Sequence, residues 1–270
     1  MKQKPRQRLR AICGIFAFLP LLQSGVAAQI WNAADQFSPA NNPSAAWQYG
    51  YQTNLGGVFI AYNAPSSLGT PLNYWTSSDI GINPNVSHNP TSNAQAVADF
   101  VLQPNHTAFH PGPNGQFSIY RWTAPSTGGF AIHADFVGLG LRSATDLHVL
   151  VNGTPVFNGA LNGQGTTTAF DTTNSLTTGG TVDFAVGFGS SQDYFNDTTG
   201  INAIITALQQ PVPLNIQLNG SNVILSWTNS TFALQAAPSA SGTYTNIPGA
   251  TSPNTNTISD PQRYFRLLAN

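Results

Sequence analysis

The sequence predicts an all-β chain: a jelly-roll-like β-sandwich followed by a small fibronectin- or immunoglobulin-like β-sandwich. Three observations carry that expectation. Short segments alternate apolar and polar residues with the two-residue period of a strand. Tight-turn pairs such as Asn152-Gly153 and Asn219-Gly220 recur between them. No segment holds a helical period for more than a few turns. Only 7% of residues are charged, and the neutral Thr, Ser, Asn and Gly that replace them suit solvent-facing strand positions and turns.

Residues 1–28 read as a secretory signal peptide. Lys2, Lys4, Arg6, Arg8 and Arg10 precede the apolar run AICGIFAFLPLL, and Val26-Ala27-Ala28 suits cleavage after Ala28. The run is interrupted by Pro20 and is too short for a stable membrane span, and Cys13 lies ahead of most of it, so no lipid anchor is expected. The processed chain would be secreted or periplasmic. Ten aspartates, no glutamate and the four remaining arginines leave it at about −6. Without lysine or a basic cluster, nucleic acid and anionic membranes are disfavoured partners. With Cys13 removed, no thiol is left for disulfides, catalysis or thiolate metal ligands.

The sandwich is expected over residues 29–208. After a leading strand and an irregular polar loop between Gln29 and about Pro43, AAWQYGYQT alternates Trp47, Tyr49 and Tyr51 on one strand face. Such a face packs into the core, the reading favoured for this strand, or stacks on sugar rings. The candidate ligand-binding platform is Trp47, Tyr49, Tyr74 and Trp75, with Trp31 and Tyr62 as further rings. GVFIAYN (57–63) and the stretch from Leu72 to Trp75 are expected strands, 78–95 a loop-rich region, and 98–103 another strand. His106 and His110 stand at i, i+4, which brings two imidazoles together only on a helix, so metal binding there is disfavoured.

From His110 to Gly140 two alternating segments flank a Pro-, Ser- and Gly-rich turn, which predicts a β-hairpin. Tyr120, Trp122, Phe130 and Ile132 then share the core face, while Arg121, His133 and Asp135 lie on the other. Arg121 is expected to be a structural polar residue paired with Asp135 or Asp183. Further on, Val182, Phe184 and Val186 point one way and Asp183 the other. The loop SSQDYFNDTTG concentrates Asp193, Asn196 and Asp197. These are candidate calcium ligands, or alternatively turn residues bonding their own backbone. No other cofactor is expected.

QQPVP (209–213) reads as a linker, and 214–270 as the small second sandwich with Trp227 as its core anchor. The chain ends at Asn270 without a hydrophobic sorting helix, so surface retention by one is not expected.

The order of WNAADQFS, WQYGY, HPG, RWTAP and DFAVG followed by an Asp-Thr loop resembles the exported, carbohydrate-binding-module-like β-sandwich domains of environmental bacteria. The resemblance covers residues 30 to 208. VILSW, FALQAAP and RYFRL in the tail resemble fibronectin-like C-terminal appendages of similar exported proteins. Where such relatives carry an acidic residue ahead of the DFAVG-like strand, this chain has Gly180, which removes a polar or metal-binding group from that place.

Three functions compete. A non-catalytic module binding an extracellular polysaccharide or cell-surface glycan fits the neutral surface chemistry. A structural or adhesive cell-surface protein fits the composition equally. A secreted polysaccharide hydrolase or lyase needs paired carboxylates, and no spacing among the aspartates selects a pair. No G-x-S-x-G elbow points to a serine hydrolase.

Overall fold

The computed structural model describes residues 28–208 apart from Arg142, and residues 212–269. The expected signal peptide, Ala28 excepted, and Gln209–Pro211 of the expected linker lie outside the described residues. The chain divides into two compact units, one over Ala28–Pro211 and one beginning at Val212.

In chain order, the first unit contains β1 (Ile30–Asn32), β2 (Trp47–Gln52), β3 (Ile60–Ala61), β4 (Ala64–Ser66), β5 (Asn73–Ser77), β6 (Gly81–His88), β7 (Gln95–Val97) and β8 (Phe100–Leu102). It continues with β9 (Thr107–His110), β10 (Phe117–Thr123), β11 (Gly128–Gly138), β12 (Ala144–Val151), β13 (Thr154–Asn162), β14 (Thr167–Leu176), β15 (Thr181–Gly187) and β16 (Thr199–Leu208). Sheet A runs β14-β11-β16-β9-β6-β5-β4, with β1 also on β16; sheet B runs β13-β12-β15-β10-β2-β3. Their pairings are antiparallel. The sheets share one aromatic-rich core, as a β-sandwich requires. Asn152 (φ 50°) and Gly153 (φ 78°) close the β12–β13 hairpin with two positive φ values, the geometry that favours Asn-Gly.

The expected hairpin after His110 is a different object. β10 belongs to sheet B, paired with β15 and β2, whereas β11 belongs to sheet A, paired with β14 and β16. The 124–127 connection therefore crosses between the two layers. Tyr120, Trp122, Phe130 and Ile132 are all buried, and Trp122 meets Phe130 edge-on at 4.9 Å across the core. Alternation correctly assigns the inward face; it does not assign the strand's partner, and two segments on facing sheets present the same pattern as a hairpin.

Two further expectations change. The 78–95 region contains β6, an eight-residue strand lying between β5 and β9. Pro84 disguises it, and this proline falls beside the register irregularity between Trp75 and Ser77, in a part of β6 where no ladder partner is lost. GVFIAYN yields only the two-residue β3; the residues before it fold over the outer face of sheet B, where Leu55 and Phe59 pack on Ile119, Leu150 and Ala185.

The second unit contains β17 (Asn215–Asn219), β18 (Asn222–Ser226), β19 (Phe232–Ala237), β20 (Thr245–Asn246), β21 (Asn254–Thr257) and β22 (Tyr264–Ala269). They form two three-stranded sheets, β17-β18-β21 and β20-β19-β22. Leu225, Trp227, Phe232, Leu234 and Leu267 make its core.

Candidate functional site

The expected aromatic platform is not a surface. Trp47, Tyr49, Tyr74 and Trp75 are all buried. Trp47 and Trp75 donate their indole N–H groups to Gln36 Oε1 at 3.0 Å and to the Ser38 carbonyl at 2.7 Å, tying the polar 33–42 loop to the core. Phe37 from that loop stacks on Tyr49 at 4.8 Å. Tyr74 faces a separate cluster with Leu72, Phe100 and Leu102. These rings hold elements together, because a large aromatic stabilises more by full burial than by exposure.

Arg121 does not meet Asp135. The layer change after β10 puts Asp135 on the outer face of sheet A and Arg121 on the outer face of sheet B. Arg121 stands opposite Asp183 in the β10–β15 register. It forms a two-pronged ion pair with that residue, Nε to Oδ1 at 2.6 Å and Nη2 to Oδ2 at 2.7 Å. Asp183 is 0% exposed, and the Phe59 ring lies 4.1 Å from the guanidinium carbon. A carboxylate this buried requires such a partner. Asp135 instead bonds His133 Nε2 at 2.9 Å, and Asp171, across the β11–β14 ladder, bonds His133 Nδ1 at 2.8 Å. Asp171 first, and then Asp135, raise the His133 pKa against the opposing effect of burial.

The acidic loop uses its polar groups locally. Asp193 Oδ1 accepts the Phe195 N–H at 3.0 Å, and Asn196 takes a left-handed φ of 65°. Asp197 is 1% exposed; its Oδ1 accepts the Ala144 N–H at 2.8 Å, and its Oδ2 has no hydrogen-bond partner among the described residues. Burial pushes its pKa up to about 6, helped by the charges of Asp193, Asp146 and Asp99 and opposed by the Ala144 bond. Among the described residues no three His, Asp or Glu side chains converge on a point that a metal ion would occupy.

A concave site lies at one end of sheet B. Three loop segments, 53–55, 114–117 and 188–189, enclose a cleft of about 380 Å³ with Asp146 at its wall. Its half-buried rings are Phe117 and Phe188, and its amides are Asn54 and Asn114. Asp146 Oδ1 accepts the Gly189 N–H at 2.9 Å and Oδ2 bonds His148 Nε2 at 2.9 Å, while His148 Nδ1 meets Asn158 Oδ1 at 2.6 Å. Phe117 lies edge-on to His148 at 5.6 Å. Burial pushes the His148 pKa down, but its bonds to Asp146 and Asn158 outweigh that and leave it raised. Burial likewise pushes Asp146 up, and His148 and the Gly189 N–H outweigh it and leave it lowered. Each partner thus favours the charged form of the other, and together they make a polar wall beside two aromatic rings. None of these cleft residues was singled out by the sequence. Asp146 and His148 at i, i+2 on one strand were the available signal, but the loops that complete the cleft come from positions more than 130 residues apart.

Fold and site together define an all-β, two-sheet sandwich with a small polar and aromatic cleft. No protein-family profile matches the sequence, and no curated protein matches it. Among solved structures, it is similar to a family 35 carbohydrate-binding module from Clostridium thermocellum, at 17% identity over 43% of this chain and 87% of that one, with a TM-score of 0.27. It is also similar to CBM51 from Clostridium perfringens GH95 in complex with methyl-galactose, at 13% identity over 55% and 95% of the two chains, with a TM-score of 0.29. A third similarity is to dimeric latent PorU from Porphyromonas gingivalis, at 10% identity over 57% and 16%, with a TM-score of 0.30.

Proposed function

We propose that this is an exported, non-catalytic module that binds a neutral glycan in the cleft at the end of sheet B, and that its second unit is a fibronectin-like appendage. The carrying observation is the cleft's composition. Phe117 and Phe188 offer apolar ring surface, Asn54 and Asn114 offer paired donors and acceptors, and Asp146 is fixed in place beside them. That is the combination a sugar requires, apolar C–H faces against rings and hydroxyls against amides and a carboxylate. Asp146 is the single carboxylate of the cleft lining, and both its oxygens already accept hydrogen bonds. Acid–base cleavage of a glycoside uses two carboxylates, so the cleft favours binding over hydrolysis.

The test is a screen of the chain from Gln29 onward against polysaccharide and oligosaccharide arrays, with a parallel assay for released reducing sugar. Retention without release, weakened at least about tenfold by Asn114→Ala or Phe188→Ala in a folded protein, supports the reading. Retention unaffected by both variants removes the cleft from it, and sugar release promotes a hydrolase. A structural or adhesive role is the second reading, favoured by the burial of Trp47, Tyr49, Tyr74 and Trp75. Silence of the folded protein on every array would put it first.

A further inference from the structure

The second unit presents a sheet edge that no other strand of that unit covers. β17 is the outer strand of its sheet, bonded to β18 on one side, and all five of its residues are exposed. Ile216 is 52% and Leu218 68% exposed, although they lie on the same face as the fully buried Leu225, which stands opposite Ile216. The opposing sheet is short, since β20 has only two residues.

The turn fixes which backbone groups are free. Gly220 (φ 62°) and Ser221 join Asn219 to Asn222, a two-residue hairpin with glycine at the first central position. Its closing pair is hydrogen-bonded, so Asn219, Gln217 and Asn215 direct their backbone groups to β18. The N–H and C=O groups of Ile216 and Leu218 therefore point to the open edge. Natural edge strands are blunted by charge, internal proline or a bulge. β17 has no charged residue, no proline and an unbroken register with β18.

We propose that β17 pairs antiparallel with β17 of a second copy of this chain, about a two-fold axis at Gln217. The strand reads Asn-Ile-Gln-Leu-Asn, nearly the same in both directions. Ile216 meets the partner's Leu218, Asn215 meets the partner's Asn219, and Gln217 meets the partner's Gln217. Four backbone hydrogen bonds close between Ile216 and Leu218 positions, which join one apolar cluster. On the opposite face, carboxamides meet carboxamides, each both donor and acceptor. No charge opposes a like charge, so the surface is complementary to itself. An edge alone buries less than the roughly 1,600 Å² of a standard interface, so the dimer is weak, with a dissociation constant on the order of 10–100 μM. If the cleft binds a polymer, pairing offers it two clefts; the test does not depend on that.

The chain from Gln29 onward retains both compact units and has no cysteine. In the paired strands Gln217 is a non-hydrogen-bonded pair with Cα atoms about 4.5 Å apart, within disulfide range. Gln217→Cys should give a disulfide-linked dimer on mild oxidation, at least about tenfold faster than Ser230→Cys, an exposed control outside the strand. Sedimentation of the unmodified chain from about 1 μM to about 1 mM should show reversible dimerisation. The double variant Ile216→Lys and Leu218→Lys should raise the dissociation constant at least about tenfold with unchanged melting, because it sets lysine against lysine at exposed positions. A chain monomeric throughout that range, Gln217→Cys oxidising no faster than the control, or a dimer that survives the double lysine variant would each overturn the proposal; the last would place the contact on another surface.

Discussion

Asp183 has no solvent contact, and both of its oxygens are held by Arg121. Arg121→Ala leaves that carboxylate buried without its partner and should cost about 3–5 kcal/mol in urea unfolding at pH 7. A loss below about 1 kcal/mol would show that the pair does not anchor β10 to β15. Asp197 is the opposite case, a buried carboxylate without a cation among the described residues. Its folded pKa of about 6 exceeds the ordinary 3.8. Its contribution to stability is therefore fully present below about 3.8 and lost as pH rises through about 6. Asp197→Asn keeps the acceptor for the Ala144 N–H and removes the charge. It should stabilise the protein by about 1–3 kcal/mol at pH 8 and have little effect at pH 4, read by urea unfolding in the presence of a chelator. Calcium added at pH 8 supplies the test of the acidic loop as an ion site: a stabilisation of the unmodified chain that vanishes in Asp197→Asn would place a cation at the free oxygen.

Between elements, the cleft depends on how β12 is tied to the turn after β15. Asp146 links His148 on its own strand to the Gly189 N–H of that turn. The raised His148 pKa gives stability that is fully present below about 6.5 and lost as pH rises through the folded value. The lowered Asp146 pKa gives stability present above about 3.8 and lost as pH falls through its folded value. His148→Gln should therefore narrow its deficit relative to the unmodified protein between pH 6 and pH 9; a constant deficit would mean that the imidazolium is not the stabilising form. Gly115 shapes the opposite wall. Its φ is 79°, and a Cβ there would stand 2.8 Å from Phe188 Cε1. Gly115→Ala should cost about 1 kcal/mol of stability and shift the Phe188 ring, lowering glycan affinity in titration calorimetry. Unchanged affinity would remove Phe188 from the binding surface.

For the whole molecule, charge distribution gives a prediction that no single residue carries. The chain beyond residue 28 holds about −6, yet the cleft lining is mostly neutral. Binding of an uncharged oligosaccharide should change less than about twofold between 50 and 500 mM NaCl, since no ion pairs with the ligand are screened. A steep salt dependence would point to a charged ligand instead.

The inward faces were legible in the sequence. Tyr120, Trp122, Phe130, Ile132, Val182, Phe184 and Val186 stand at every second position of their strands and are buried, because a strand's two-residue period writes its faces into local order. The Asn152-Gly153 hairpin was legible too, because positive φ at two successive positions selects those residue types. Pairing between distant strands was not written locally. Whether β10 joins β11 or lies across the core from it depends on which ladder and which core contacts are made at long range, and either arrangement buries the same rings. For the same reason tertiary structure alone decided that Trp47 and Trp75 anchor a loop. It also separated Arg121 from Asp135, and it gathered residues 54, 114, 146 and 188 into one cleft. The sequence determined an all-β chain and the direction its apolar side chains face; the stacking of two sheets decided which polar groups those strands and loops bring together, because only closed packing fixes distances between residues remote in the chain.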